Sequence, residues 1–223
     1  LLTSVGLLAT FVATPLSVAI QLVDVTEDVG ISFVHVNGAR GDLHMPETIG
    51  SGGGFLDYNG DGYLDLYLVN SGDLTGEASA SSALYRNAAD GTFVNVTTAA
   101  GLDTSGPYGM GCAVGDYDND GRPDLYVSRT NAPNVLLRNE GPGTDGAWSF
   151  SDRTSEAGVA EPRDAFPTWF WDYDNDGWLD IFVAGYRTNF GDIAAEYLDL
   201  PHASELPRLY RNRGDGTYDE VSE

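Results

Sequence analysis

Carboxylates at alternate positions recur three times in this chain, each time ahead of a strand-like apolar run. The stretches are DYNGDGYLD (loop 1, residues 57–65), DYDNDGRPD (loop 2, residues 116–124) and DYDNDGWLD (loop 3, residues 172–180). Hard cations such as Ca²⁺ take six to eight oxygen ligands at about 2.3–2.6 Å, and alternating carboxylates around a tight turn supply them. The spacing therefore predicts three cation-binding loops.

The predicted ligands follow from numbering each loop from its first aspartate. Positions 1, 3, 5 and 9 offer side-chain oxygens, position 7 offers its backbone carbonyl, and the glycine at position 6 permits the turn. Loop 1 has Asn59 in place of an aspartate, so we expect it to bind less tightly. The predicted metal-binding residues are Asp57, Asn59, Asp61, Tyr63 and Asp65; Asp116, Asp118, Asp120, Arg122 and Asp124; and Asp172, Asp174, Asp176, Trp178 and Asp180.

Two alternatives compete with this interpretation. An EF-hand shares the D-x-D-x-D-G opening but requires a glutamate at position 12, which here is Leu68, Val127 or Val183. Ordinary acidic turns are the second alternative, because Asp, Asn and Gly favour turns in any case. Three loops in the same phase favour metal binding, and we expect about three Ca²⁺ sites.

The overall charge excludes some partners. The chain has 34 Asp and Glu against 11 Lys and Arg, a formal net charge of −23. Such a surface repels phosphate backbones and anionic lipid, so no nucleic-acid partner is expected. Cys112 is the single cysteine, which rules out an intrachain disulfide, and its apolar surroundings predict a buried thiol.

The elements that must position these loops recur with them. Each loop is followed by a Leu-x-Arg-Asn motif, at residues 84–87, 136–139 and 209–212, and then by a further strand-like run. Repeats longer than 40 residues with four short strands each are typical of propeller blades, and 28 Gly and 10 Pro favour a turn-rich all-β fold. We predict a partial β-propeller of about three four-stranded blades, with repeats at about 50–97, 109–154 and 165–222. Since propellers typically have four to eight blades, three form an open arc.

Three other segments carry local predictions. Residues 1–19 are uncharged and read as the remnant of a secretory signal peptide ending at Ser17–Ala19, with an uncleaved membrane anchor as the alternative. No membrane span is expected in the mature chain, residues 20–223. The segment LVDVTEDVGI, which begins at Leu22, is similar to the strand-like run at the end of each repeat. In a closed ring it could add an outer strand. The insertion DIAAEYLDL predicts a short helix with Asp192 as its N-cap.

The Gly-rich strand, the D-x-D/N-x-D-G-x-x-D loop and the following apolar strand resemble the FG-GAP/VCBS-type repeat of integrin-α-like calcium propellers. The run from Gly30 to Asn70 resembles the bacterial cartilage-acidic-protein-like family, and so do the later motifs LYRN (residues 84–87) and FVNVT (residues 93–97). The resemblance covers about residues 20–223. It implies a secreted or surface propeller with Ca²⁺ at the loop positions named above. The third repeat departs from the pattern, because its first strand, DAFPTWFWD, lacks the glycines of the other two.

Two classes of function remain open. The first is a non-catalytic module, secreted, periplasmic or at the cell surface, that binds an extracellular protein or glycan or acts as a structural repeat of an adhesin. Arg40-Gly41-Asp42 matches an adhesion tripeptide, and Trp169, Trp171 and Trp178 could form a stacking platform. The alternative is a polysaccharide-active enzyme that uses two carboxylates outside the loops. The candidates for that role are Glu47, Asp164, Asp192 and Glu196.

Overall fold

The structure is a computed structural model. It describes residues 21–42, 44–75, 80–102, 105–186, 190–202 and 204–222. The predicted signal remnant lies outside the described residues. Among the described helices, none combines the length and the apolar character needed to cross a membrane.

The described part of the chain is built from short antiparallel strands. In chain order they are β1 (Gly53–Leu56), β2 (Asp65–Leu68), β3 (Ala80–Ser81), β4 (Ala83–Asn87), β5 (Phe93–Asn95), β6 (Ser105–Gly106), β7 (Gly109–Gly115), β8 (Asp124–Arg129), β9 (Val135–Pro142), β10 (Trp148–Asp152), β11 (Ala165–Trp171), β12 (Asp180–Gly185), β13 (Arg208–Asn212) and β14 (Tyr218–Glu220).

These strands form three four-stranded meanders, which we call blades 1 to 3. Blade 1 has the order β1-β2-β4-β5, blade 2 the order β7-β8-β9-β10, and blade 3 the order β11-β12-β13-β14. Every neighbouring pair within a blade is antiparallel. Strands β3 and β6 form a separate two-stranded sheet that the sequence pattern did not predict. The predicted all-β fold, a partial propeller of three blades, is confirmed.

Apolar side chains on facing blades form two cores. Tyr67 and Leu84 of blade 1 belong to one buried cluster with Leu125 and Leu137 of blade 2. A second cluster joins blade 2 to blade 3 and contains Ala113, Tyr126, Leu136, Ile181, Val183 and Tyr210. Because successive residues of a strand point to opposite faces, blade 2 buries both of its faces. This explains why its strand β8 reads as an almost unbroken apolar run.

The two ends of the arc expose aromatic side chains. Phe55 on blade 1 is 64% exposed, and Trp169 and Trp171 on blade 3 are 43% and 46% exposed. Gly54 occupies the position in blade 1 that Trp169 occupies in blade 3, counted back from the first loop aspartate. A Cβ at Gly54 would lie 2.6 Å from Val114 of the next blade, so a small residue is required where a blade follows. Blade 3 has Trp169 in place of this glycine.

Three short helices interrupt the sheets: α1 (Met45–Ile49), α2 (Thr154–Ala157) and α3 (Phe190–Tyr197). Helix α3 confirms the helix predicted in the insertion. Its predicted N-cap is wrong, because the helix begins at Phe190 and Asp192 lies in its first turn. A carboxylate there interacts favourably with the positive end of the helix dipole.

The segment that begins at Leu22 forms a turn in the structure. The N–H and hydroxyl of Thr26 both donate to Asp24 Oδ1, as Thr97 does to Asn95 and Thr154 to Asp152. The Phe93 N–H of blade 1 donates to Val29 O at 2.8 Å. Among the described residues from 21 to 25 there is no strand, and the outer strand expected in a closed ring stays a prediction.

Candidate functional site

Each acidic loop joins the first and second strands of one blade. Loop 1 connects β1 to β2, loop 2 connects β7 to β8, and loop 3 connects β11 to β12. In every case the aspartate at position 9 is the first residue of the second strand. A strand follows each loop where an EF-hand has a helix, so the EF-hand alternative is excluded.

The carboxylate at position 1 organises the turn. Asp57 accepts the N–H of Asp61 at 3.1 Å on Oδ1 and the N–H of Gly62 at 2.8 Å on Oδ2. Asp116 and Asp172 accept the corresponding two N–H groups in loops 2 and 3, at 2.8–3.0 Å. Because a carboxylate oxygen has a second lone pair, these bonds leave acceptor capacity for a cation.

Two residues in each loop adopt the left-handed region. The glycines at position 6 have φ values of 84°, 85° and 91°, and an added Cβ would meet nothing within 4 Å. Glycine is therefore favoured there by the backbone conformation and not by lack of space. Position 4 is also left-handed, with φ of 67° at Gly60, 56° at Asn119 and 59° at Asn175. We had not predicted this second position. The signal was present, because Gly and Asn are the residues that tolerate this conformation.

The carboxylates at positions 1, 3 and 5 converge in two of the loops. One oxygen from each of Asp116, Asp118 and Asp120 lies within 4.8 Å of the others, and Asp172, Asp174 and Asp176 are arranged in the same way. In loop 1 the Asn59 amide Nδ2 donates to Asp61 Oδ2 at 2.9 Å and links positions 3 and 5. The three loops therefore share one turn geometry, but the side chain that could bind a cation at position 3 is an amide in loop 1 and a carboxylate in loops 2 and 3.

The aspartate at position 9 occupies a different environment. Asp124 has no exposed surface, and its two oxygens accept the N–H groups of Tyr117 at 3.1 Å and Asn139 at 2.7 Å. Asp65 and Asp180 are buried and bonded in the same way. Desolvation raises the pKa of Asp124 to about 8 and raises the pKa values of Asp65 and Asp180 as well. These aspartates clamp the loop to the third strand, and their role as cation ligands stays a prediction.

The asparagine of the Leu-x-Arg-Asn motif connects neighbouring blades. Asn139 in blade 2 donates from Nδ2 to the carbonyl of Tyr58 in loop 1 at 2.8 Å. Asn212 in blade 3 donates to the carbonyl of Tyr117 in loop 2, also at 2.8 Å. Together with the aspartate clamps, these bonds form one hydrogen-bonded chain through all three blades, which we call the interblade ladder.

The arginine of the same motif faces the loop carboxylates. Arg138 Nε lies 2.5 Å from Asp118 Oδ2, and its Nη2 lies 3.0 Å from Asp120 Oδ2. Burial raises the pKa of Asp118, and the hydrogen bond from Arg138 opposes that effect. The second oxygen of Asp118, Oδ1, is buried and has no hydrogen-bond partner among the described residues. A buried acceptor without a donor fits a cation, so the donor chemistry of loop 2 suits a metal ion.

Other candidate residues are engaged elsewhere. Arg40 of the Arg-Gly-Asp tripeptide pairs with the buried Asp73 at 2.5 Å, and the Asn131 N–H donates to Asp164 at 3.0 Å. Cys112 is partly buried against the core between blades 1 and 2, and burial raises the pKa of its thiol to about 12. Trp169 stacks on Phe182 with ring centroids 4.5 Å apart, which holds its ring against the sheet.

Comparison with known proteins matches part of the chain to one family of repeats. Residues 57–127 match the family model described as FG-GAP-like repeat, which covers loops 1 and 2 and the strands between them. Over 130 residues, 55% of this chain, the sequence is 33% identical to cartilage acidic protein 1 of Homo sapiens. Over 99 residues it is 30% identical to cartilage acidic protein 1 of Xenopus tropicalis. The resemblance inferred from the motifs is confirmed.

These matches cover only a part of the relatives. The chain spans 18% of the human protein and 15% of the Xenopus protein. Among solved structures, a lectin from Agrocybe aegerita, described as recognising non-reducing terminal N-acetylglucosamine, aligns with a TM-score of 0.41 and 21% identity. That alignment covers 74% of this chain and 36% of the lectin.

Proposed function

We propose that this chain is part of a secreted or surface β-propeller whose loops bind Ca²⁺ and whose role is non-catalytic interaction with an extracellular protein or glycan. The convergence of three carboxylate oxygens within 4.8 Å in each of loops 2 and 3 carries the calcium proposal. The buried, unpartnered Oδ1 of Asp118 supports it independently.

The residues that would hold each ion are those at positions 1, 3 and 5, joined by the carbonyl at position 7 and the aspartate at position 9. A bound Ca²⁺ supplies two positive charges and flexible oxygen coordination. The carboxylates at positions 3 and 5 contribute the charge, and position 1 keeps the turn closed through its two N–H bonds. The clamps tie each loop to the third strand of its own blade, and the interblade ladder ties loops 1 and 2 to the next blade, so ordering either of these two loops also stabilises a blade interface.

The interaction role rests on the fold and the surface. Among the described residues, the rings of Trp169 and Trp171 on blade 3 are about half exposed. Such rings suit a protein segment or the face of a sugar. The uncharged residues 1–19 support export, and the FG-GAP-like repeat supports an interaction module over an enzyme.

A thermal melt tests the calcium proposal. The chain is unfolded in EGTA, then at increasing Ca²⁺, and separately at increasing Mg²⁺. We expect a Ca²⁺-selective rise in Tm, since each site at a hundredfold excess over Kd adds about 2.7 kcal/mol to the free energy of unfolding. The double variant Asp118→Asn/Asp174→Asn should lose most of the rise while still folding, because Asn59 already occupies this position in loop 1.

The matched control is Asp28→Asn/Asp42→Asn, which removes the same charge from exposed residues outside the loops. It should keep the full calcium response. A melt of the parent chain that is indifferent to Ca²⁺ would mean that the loops are acidic turns and would refute the proposal.

A further inference from the structure

The arginine of the Leu-x-Arg-Asn motif stands in a different relation to each loop. In loop 2, Arg138 bridges Asp118 and Asp120, and Arg122 also pairs with Asp120. In blade 3, Arg211 spans Asp174 and Asp176, with nitrogen-to-oxygen distances of 2.7 Å and 3.5 Å.

Loop 1 has a neutral substitute for this bridge. Among the described residues, no ion pair joins Arg86 to loop 1, and the Asn59 amide donates to Asp61 there at 2.9 Å. Among the described residues, the number of guanidinium groups that form ion pairs with the loop carboxylates is therefore none in loop 1, two in loop 2 and one in loop 3, although the Arg86 charge also acts on Asp61 of loop 1.

We propose that Arg138 and Arg211 are internal counter-cations that hold positions 3 and 5 together in the metal-free loop and weaken its affinity for Ca²⁺. They are positioning residues that set the strength of each site. This inference rests on the proposed calcium binding and adds what regulates it.

The physical reason is competition for the same lone pairs. A guanidinium with charge-assisted bonds to two carboxylates occupies acceptor sites that a cation needs, and its own charge repels a divalent ion a few ångströms away. Without the cation, the same bonds relieve repulsion between the carboxylates. Removing the arginine should therefore lower the stability of the metal-free loop and tighten calcium binding, two effects of opposite sign.

The two sites should respond unequally. The Arg138 side chain is 28% exposed and Arg211 is 48% exposed, so water and salt screen Arg211 more. Loops 2 and 3 have the same four aspartates, yet loop 2 has the additional Arg122. We therefore expect loop 2 to bind Ca²⁺ more weakly than loop 3, although the donor sets are identical.

The experiment compares Arg138→Gln and Arg211→Gln with the parent chain by calorimetric Ca²⁺ titration and by melting in EGTA. We expect about tenfold tighter binding at the affected site for Arg138→Gln and a smaller gain for Arg211→Gln, each with a lower metal-free Tm. Trp178 is at position 7 of loop 3 and Trp148 lies against Gly60 of loop 1, so the part of the tryptophan-excited Tb³⁺ luminescence that is lost in Trp178→Phe reports loop 3. The control is Arg213→Gln, which removes the same charge from an ion pair with Asp219 outside the loops.

The outcomes separate the two proposals. If the parent chain binds no Ca²⁺, the calcium function and this inference both fail. If it binds Ca²⁺ but both glutamine variants bind it with unchanged or weaker affinity, the calcium function stands and the counter-cation role is refuted. Arg211→Lys, which keeps the charge but not the planar fork, should retain most of the parent's weaker affinity.

Discussion

At the scale of single residues, left-handed backbone positions decide which side chains the repeat tolerates. The second residue after the Leu-x-Arg-Asn motif has φ of 72° at Gly141 and 74° at Gly214, but the same position in blade 1 is Ala89 with φ of 62°. A Cβ at Gly214 would lie 2.8 Å from the Trp178 ring, so glycine is needed there for space as well as conformation. Ala89 adopts the same turn with a side chain that disfavours it.

Ala89→Gly should therefore stabilise the protein. A non-glycine residue in the left-handed region costs about 1–2 kcal/mol. Glycine loses more backbone entropy on folding, which offsets part of the gain, so we expect a net increase in stability of about 0.5–1 kcal/mol. Urea unfolding at saturating Ca²⁺ measures it. Ala88→Gly is the matched control, because φ at Ala88 is not positive, and it should destabilise. Equal effects at the two alanines would contradict the strain argument.

At the scale of elements, the interblade ladder holds the loops and strands together. Asn139 has no exposed surface, and its side chain donates to Tyr58 O and Pro123 O and accepts the Gly141 N–H. Asn87 has the same place in blade 1, where no described blade precedes it. Its amide donates to Leu64 O in its own blade.

Asn139→Ala should destabilise the protein more than Asn87→Ala. Loss of Asn139 leaves buried carbonyls without donors, at about 1–3 kcal/mol each, so we expect a total cost of about 2–4 kcal/mol. Asn87→Ala loses only contacts within blade 1, and we expect about 1 kcal/mol. Chemical unfolding of both variants at saturating Ca²⁺ gives the comparison. The same loss in both would show that the bond between blades contributes nothing to stability.

At the scale of the whole molecule, each blade is stabilised by the next one. Tyr126 of blade 2 and Phe182 of blade 3 hold the same position in their second strands, on the face directed toward a following blade. Blade 3 covers Tyr126 completely, and its hydroxyl donates to Val159 O at 2.7 Å. Phe182 faces the open end of the arc, where it stacks on Trp169.

Replacing each of these two aromatic residues by alanine should show, through the loss of unfolding free energy, which blade face is buried and which is exposed. We expect Tyr126→Ala to cost about 3–5 kcal/mol of unfolding free energy, as for large core side chains. Phe182→Ala should cost about 1 kcal/mol or less, in the range of surface substitutions. Thermal and urea unfolding of both variants test this. Equal costs would mean that the end face of blade 3 is covered in solution, for example by a second copy of the chain.

Sequence patterns predicted most of the fold and the outline of the site. The aspartate spacing and position-6 glycines identified the loops, and the Leu-x-Arg-Asn motif identified each third strand, because the residues that make up each signal lie within a few positions of one another. The left-handed position 4 was readable at Gly60, Asn119 and Asn175 but was missed. The partners of Asn139 and Arg138 could not be predicted, since nothing local specifies which loop a strand will face.

The sequence by itself determined the turn, the strand that follows it and the repetition of both, because a loop's own residues supply its hydrogen bonds. Only the tertiary structure decided which neighbouring blade each loop bonds to and which arginines pair with its carboxylates. Asn139 and Tyr58 are 81 residues apart, and Asn212 and Tyr117 are 95 residues apart. They meet because each blade packs its apolar face on the previous one. The position-9 clamps and the guanidinium groups reach the loops through the pairing of the second and third strands within each blade.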